Sequence, residues 1–295
     1  MTLTSPAVID NLPAAERVTR IRDAAQRIRF NALEMGQVQG QGYVGQALGV
    51  ADMLAVTYAD QMRYRAEEPH WPDRDRFLLS TGHYAIGLYA ALAEAGIVPA
   101  AELQTYGSDD SRLPMSGMAS YTPGMEISGG SLGHGLCIAV GMALSLRYQS
   151  NNSRIFNFLS DGELDEGSTW EAAMGAAHHR LGHITAMVDM NALQADGKTA
   201  SVMNIEPAED KWSASGWFTQ RVNGNDIDAL LHAFDQATEQ AEVIGAPSVI
   251  LCDTLIGKGV PLLEQREKAH FMRIDENEWQ ICRDQLAARN EGSTG

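Results

Sequence analysis

Asp161 and Gly162, with Asn191 thirty residues further on and Leu193 just beyond it, carry oxygen groups of the kind that a hard divalent cation takes. Mg²⁺ wants near-octahedral oxygens and is commonly held by one or two protein groups together with phosphate oxygens. In such a site Asp161 supplies the charge, Asn191 its amide oxygen and Leu193 its main-chain carbonyl, and two oxygens of a diphosphate and a water complete the shell. Gly162 lets the backbone approach the phosphates, and a helix opening a few residues later adds a favourable N-terminal dipole. The same residues also read as an ordinary Asp-Gly turn and a strand end, so by themselves they leave both readings open.

The elements around them supply the positioning. Residues 154–160 and 184–190 are short runs rich in β-branched and aromatic side chains and read as buried strands, with a helix expected over 166–181 between them. A strand, helix, strand unit of this length makes a parallel pair with a crossover, which brings Asp161 and Asn191 together at the C-terminal strand ends, where ligands bind in open α/β sheets. Val18, Ile21, Ala25, Ile28, Ala32 and Met35 form one apolar helical face, a second helix is expected over 50–63, and 36–49 reads as a glycine-rich connection. Residues 82–95 read as a helix ended by Gly96, whereas 107–130 is too rich in Gly, Ser, Met and Pro for a regular element and is expected to be a functional loop. A helix after Gly133, a strand over 217–222, a helix over 227–243 and a strand over 249–253 continue the alternation. The fold class is therefore α/β, a doubly wound, mostly parallel sheet with helices on both faces. One domain is expected over 1–295, with no repeat, no dividing linker and a frayed end at 290–295.

Composition narrows the function classes. The formal net charge of −16 argues against a phosphate-backbone or anionic-membrane surface, so neither nucleic acid nor membrane is an expected partner. Three scattered cysteines, Cys137, Cys252 and Cys282, form neither a disulfide framework nor a zinc knuckle. Residues 1–12 lack a basic start followed by an apolar core, and the apolar stretch near 136–146 is too short to span a bilayer, so a cytoplasmic protein is expected.

The segment Ser160-Asp161-Gly162-Glu163-Leu164-Asp165-Glu166-Gly167-Ser168-Thr169-Trp170-Glu171-Ala172, followed by Asp189-Met190-Asn191-Ala192-Leu193, resembles the transketolase form of the thiamine diphosphate motif. Trp71-Pro72-Asp73-Arg74-Asp75-Arg76-Phe77-Leu78-Leu79-Ser80-Thr81-Gly82-His83 resembles that family's segment ending in a catalytic histidine. Gly129-Gly130-Ser131-Leu132-Gly133-His134-Gly135 resembles its cofactor loop, and 247–259 with His270 resembles the end of its first domain. The resemblance runs from about Arg27 to about His270. It implies thiamine diphosphate and Mg²⁺ as cofactors, with Asp161, Asn191 and Leu193 as metal ligands. It implies that Gly162 lies against the diphosphate, that Gly130, Ser131 and Leu132 contact the aminopyrimidine, and that His83 touches both the diphosphate end and the reacting substrate oxygen. His270 joins His83 as a catalytic candidate, although Phe271 stands where the family usually has glycine. Glu166 matches an acid at the family's dimer contact that couples the two active sites, and is the third catalytic candidate.

The family's cofactor is activated by a glutamate in a second, pyrimidine-binding domain, and the chain ends where that domain would begin. The resemblance therefore implies the N-terminal, diphosphate-binding subunit of a split transketolase. Such a subunit transfers a two-carbon ketol unit from a ketose to an aldose only in complex with a separate C-terminal subunit, most simply two copies of each chain. Tyr43 replaces the histidine usual between two glycines, Ser160 replaces the first glycine of the metal motif, and Met190 stands where another Asn is common. These departures leave the sugar substrate open, and an enzyme component working on a 2-oxo acid or a non-catalytic paralogue remains an alternative. Lys258 is a candidate contact for substrate phosphate.

Three motifs compete. Residues 40–45 match the dinucleotide fingerprint, but a helix rather than a strand is expected before them. Residues 129–133 match a serine-hydrolase elbow followed by Asp253 and His270, without the run of strands that such an elbow needs before it. His179 and His183 have the four-residue spacing of a helical metal pair but lack the accompanying glutamate of zinc proteases, so they read as surface or packing histidines.

Overall fold

The computed structural model describes residues 13–291, and residues 1–12 and 292–295 lie outside the described residues. Strands β1 (Arg76–Leu79), β2 (Ile155–Ser160), β3 (Ile184–Met190), β4 (Phe218–Asn223) and β5 (Ser248–Asp253) form one sheet in the order β1-β2-β3-β5-β4, every neighbouring pair parallel. Helices cover both faces, as an all-parallel sheet requires. That matches the α/β class read from the sequence.

Side chains alternate between two cores along each strand. Phe77, Phe156, Phe158, Met187 and Ile250 pack with helices α1 (Ala14–Gln39), α2 (Val44–Gly49), α3 (Ala51–Val56), α4 (Ala85–Glu94) and the later helix Ile227–Ile244. Leu78, Ile155, Leu159, Val188 and Leu251 pack on the opposite face with α5 (Gly135–Tyr148), α6 (Gly167–His178) and α7 (Ala208–Ala214). All six residues of β2 are buried, which explains its unbroken apolar run.

Three sequence expectations need correction. The stretch 36–49 is mostly helical rather than a glycine-rich connection: α1 runs through Gly36 to Gln39, ends on left-handed Gly40 (φ 66°), and α2 begins at Val44. Gly36, Gly45 and Gly49 serve close packing, since a Cβ on Gly45, for example, would meet Ile256 and Met272 side-chain atoms at 2.6 Å. Second, β1 is a strand where the sequence shows only a lead-in to His83, because four residues are too few to reveal a period. Third, the stretch expected to fray stays helical through Glu291 in the final helix Glu278–Glu291, and the rest of that stretch lies outside the described residues. The loop expected over 107–130 is free of helix and strand.

Candidate active site

The parallel register of β2 and β3 pairs Ser160 with Asp189, so the chain leaves the sheet at Asp161 and Asn191 side by side. Asp161 opens a 3₁₀ turn, Asp161–Asp165, and is only 2 % exposed. One of its carboxylate oxygens accepts from the Gly162 N–H at 2.7 Å and the other from the Thr199 hydroxyl at 2.8 Å. Burial, and then the neighbouring Asp189 carboxylate, push Asp161 up to about 7. The Asn191 amide nitrogen donates to Asp189 at 2.6 Å and to the Tyr84 hydroxyl at 2.9 Å, which turns the amide oxygen the other way, toward the Leu193 N–H at 2.9 Å. Ala192 between them is left-handed (φ 62°), a strained state for a residue with a Cβ and one that clusters at functional turns. Beyond it Leu193–Gln194 pairs with Gly197–Lys198, and Gln194 reaches back to Asp165 at 3.0 Å.

The 129–135 loop crosses the C-terminal end of β1. Gly130 N–H donates to the Ser80 carbonyl at 3.0 Å and Gly135 N–H to the Ser80 hydroxyl oxygen at 3.0 Å, while the Ser80 hydroxyl itself donates to Glu163. Glu163 also accepts from Gly133 N–H at 2.8 Å. Only glycine fits at Gly129, where a Cβ would stand 2.3 Å from the Leu79 carbonyl oxygen. Gly130 (φ 118°) and Gly133 (φ 79°) complete a turn that leaves Ser131 exposed and Leu132 half-buried. Glu163 is fully buried, burial pushes it up to about 7, and its second oxygen has no partner.

His83 sits in the 3₁₀ turn Gly82–Tyr84 that follows β1. Its ring centroid lies 4.7 Å from Tyr43, 5.7 Å from His270 and 4.7 Å from Tyr84, the same Tyr84 that bonds Asn191. Burial, and then the adjacent His270, push His83 down to about 4, so it is a neutral donor and acceptor near neutral pH. Burial also lowers His270, opposed by a hydrogen bond to the Leu193 backbone, and Gln46 donates to the His270 carbonyl at 2.6 Å. Both histidines are thus tied to the Asn191–Leu193 turn.

Among the residues singled out from sequence, Asp161, Gly162, Asn191, Leu193, His83, His270 and the Gly130–Leu132 turn gather at one edge of the sheet. Glu166 does not join the rings. It is exposed at the N-cap of α6, beside Gly133. Lys258 lines a separate recess with Arg22, Arg29, Asp52 and Asp226, so it is not placed as a phosphate contact beside the histidines. The hydrolase triad is not assembled, because Asp253 is engaged by Arg221 at 2.9 Å and the elbow serine follows a long loop rather than a strand. Residues 40–45 join two helices, and His183 lies 3.3 Å from the Ala143 carbonyl. No cluster of three or more His, Cys, Asp or Glu suited to a metal is found among the described residues. Sequence reasoning missed Asp189, Glu163, Ser80 and Gln46. Asp189 and Glu163 were visible only as acids inside a strand or a motif.

The donor chemistry fits a hard cation and a diphosphate. The Asp161 carboxylate and the Asn191 amide follow adjacent strand ends, the carboxylate is buried without an ion-pair partner among the described residues, and Gly162 comes directly after it.

Comparison with known proteins agrees with this geometry. The family description that matches residues 21–292 is transketolase, thiamine diphosphate binding domain. A transketolase family protein of Sinorhizobium fredii, y4mO, is 59% identical over 257 residues, covering 87% of this chain and 91% of that protein. The 6-deoxy-6-sulfo-D-fructose transketolase subunit SqwG of a Clostridium species is 39% identical, covering 91% of this chain and 96% of that one. An apulose-4-phosphate transketolase subunit from Actinobacillus succinogenes is 34% identical over 83% of this chain and 87% of its own length. The crystal structure of transketolase from Campylobacter jejuni superposes with a TM-score of 0.83 at 28% identity, over 91% of this chain but only 43% of that one. The chain belongs to the transketolase family, of which it carries the thiamine diphosphate binding domain.

Proposed function

We propose that this chain is the N-terminal, diphosphate-binding subunit of a split transketolase that moves a two-carbon ketol unit from a ketose to an aldose. The observation that carries the reading is the buried Asp161 carboxyl, next to the strand end that leads to Asn191, at the C-terminal edge of a thiamine diphosphate binding domain. Bound thiamine diphosphate supplies a nucleophilic carbon that attacks a carbonyl and stores the resulting negative charge.

This chain's own residues bind and orient. Asp161, Asn191 and the Leu193 carbonyl would hold Mg²⁺, and Gly162 would give the backbone room beside the diphosphate. Asp189 and Tyr84 hold the Asn191 amide nitrogen, which fixes the side of the group on which its oxygen lies. Gly130, Ser131 and Leu132 would line the aminopyrimidine, on a loop fixed by Ser80 and Glu163. His83 and His270 face the sugar, His83 as a neutral imidazole that donates to, or accepts a proton from, a substrate hydroxyl. Glu166, exposed beside Gly133, would lie at the contact between protein chains.

The pyrimidine-type domain, with its activating glutamate, comes from a separate chain, and the whole chain here acts as one diphosphate-type domain. Support comes from two relatives of matching length that are named as transketolase subunits. The assembly is two copies of each chain, and the setting is the cytoplasm. No helix among the described residues is long and apolar enough to cross a membrane, and the three cysteines are unpaired.

The test is reconstitution. The purified chain alone should transfer no ketol unit, and mixing with its partner should restore transfer at ordinary enzyme rates. Full transfer by the chain alone, or no partner of similar size in a pull-down from the source cell, would overturn the reading.

A further inference from the structure

Among the described residues no hydrogen bond reaches either ring nitrogen of His83, so its orientation comes from the rings packed around it. Tyr43 meets it at 4.7 Å, Tyr84 at 4.7 Å and His270 at 5.7 Å. The two tyrosines are held unequally. Tyr43 is half-buried, whereas Tyr84 is 2 % exposed and presents its ring to His83 almost perpendicularly, at 88°.

Tyr84 is also pinned at both ends of its side chain. Its backbone closes the 3₁₀ turn Gly82–Tyr84 and caps α4, with the N–H donating to the Thr81 carbonyl at 2.8 Å. From that position after β1 the ring passes Phe158 of β2, at 5.7 Å, and the hydroxyl arrives at the end of β3. There it lies 2.8 Å from Asp189 and 2.9 Å from the Asn191 amide nitrogen. A phenol has one hydrogen, and the amide nitrogen brings its own, so the phenol donates to the carboxylate and accepts from the amide. Asn191 gives its other amide hydrogen to the same Asp189 oxygen at 2.6 Å, and Thr254, just beyond β5, donates to the second oxygen. Tyr84, Asp189 and Asn191 thus close a triangle. Both amide hydrogens of Asn191 are used within it, which leaves the amide oxygen on the outer side.

One buried side chain therefore touches two parts of the site, the Asn191 amide with its hydroxyl and the His83 ring with its edge. We propose that Tyr84 is a positioning residue that holds the Asn191 turn and His83 in one arrangement, its hydroxyl acting on the Mg²⁺ site and its ring on His83. The inference rests on the function proposed above and deepens it.

The test uses the reconstituted pair of chains and two readouts. One is the Mg²⁺ concentration that half-saturates thiamine diphosphate binding in calorimetric titrations, and the other is kcat for ketol transfer at saturating cofactor and Mg²⁺. Tyr84→Phe, which keeps the ring and deletes the hydroxyl, should raise the Mg²⁺ requirement about tenfold and leave kcat within about twofold of wild type. Tyr84→Met, which fills the space without a ring, should raise the Mg²⁺ requirement equally and also lower kcat by about tenfold or more, since small misplacements near the reacting atoms are costly. Tyr84→Phe, which fits the same space, keeps the test decisive should Tyr84→Met fail to fold. A wild-type Mg²⁺ requirement in Tyr84→Phe, or a folded Tyr84→Met whose kcat equals that of Tyr84→Phe, would overturn the proposal while leaving the transketolase reading intact. Lower stability in urea with both readouts unchanged would do the same, because Tyr84 would then serve packing alone. A wild-type pair that binds no thiamine diphosphate or transfers no ketol unit would instead overturn that reading, and the proposal with it.

Discussion

The two ends of the sheet treat buried acids differently. Asp75, immediately before β1, is 0 % exposed, yet it accepts from the backbone N–H of Arg63 at 2.9 Å and of Arg154 at 2.8 Å, and both guanidinium groups lie within 3.3 Å. At the opposite, C-terminal end Asp161, Glu163 and Asp189 are equally buried but meet only neutral donors, and no Arg or Lys pairs with them among the described residues. Burial pushes all three upward, Asp161 and Glu163 to about 7. The fold can place arginine beside a buried carboxylate where the need is structural. Where it does not, the uncompensated acids are the ground for the cation proposed above.

The largest expected effect breaks the structural end. Asp75→Ala leaves two backbone N–H groups and two guanidinium groups without their acceptor and should cost about 2–5 kcal/mol in urea unfolding. Asp161→Asn should separate the two ends. It should leave folding stability unchanged or raised, because it removes a poorly compensated charge, yet weaken Mg²⁺-dependent thiamine diphosphate binding by about 100-fold. A variant that lost stability as Asp75→Ala does would show that Asp161 is structural after all.

A smaller effect is expected at Glu163, which ties the 129–135 loop through Ser80 and Gly133. Glu163→Gln and Ser80→Ala should each weaken thiamine diphosphate binding by about tenfold, and together by less than the product, because they share one hydrogen bond. Additive losses in calorimetric titrations would deny the clamp.

The smallest effect concerns pH. His83 titrates at about 4 in the folded chain, below the usual value near 6.5, so between those values the unfolded chain holds a proton that the folded chain refuses. The stability contributed by the neutral imidazole is therefore complete above about 6.5 and lost as pH falls toward 4. The stability difference between wild type and His83→Asn should shrink across that window, and a constant difference in urea titrations would contradict the burial argument.

Much of this was legible in sequence because the relevant signals are local. The apolar runs of β2 and β3 and the helix between them place Asp161 beside Asn191 by topology alone. What was illegible depends on contacts distant along the chain. Ser80 meets Glu163 across 83 residues, Tyr84 meets Asp189 across 105, and Gln46 meets His270 across 224. No periodicity announces such pairs. Glycine misleads at 36–49, where close packing demands it at Gly36, Gly45 and Gly49 and positive φ at Gly40 and Gly42. The contact between Tyr43 and Phe271, ring centroids 5.2 Å apart, is hidden for the same reason: each stands alone in the sequence until the antiparallel Gly42–Met272 pairing joins them.

The most direct test is a calorimetric titration of thiamine diphosphate into the chain together with its partner, run with Mg²⁺ and again with excess chelator. If the unpaired acids at the C-terminal edge await a cation that carries a diphosphate, binding will saturate at one cofactor per copy of this chain with Mg²⁺ and disappear with the chelator. Equal affinity under both conditions, or no binding in either, would contradict the account.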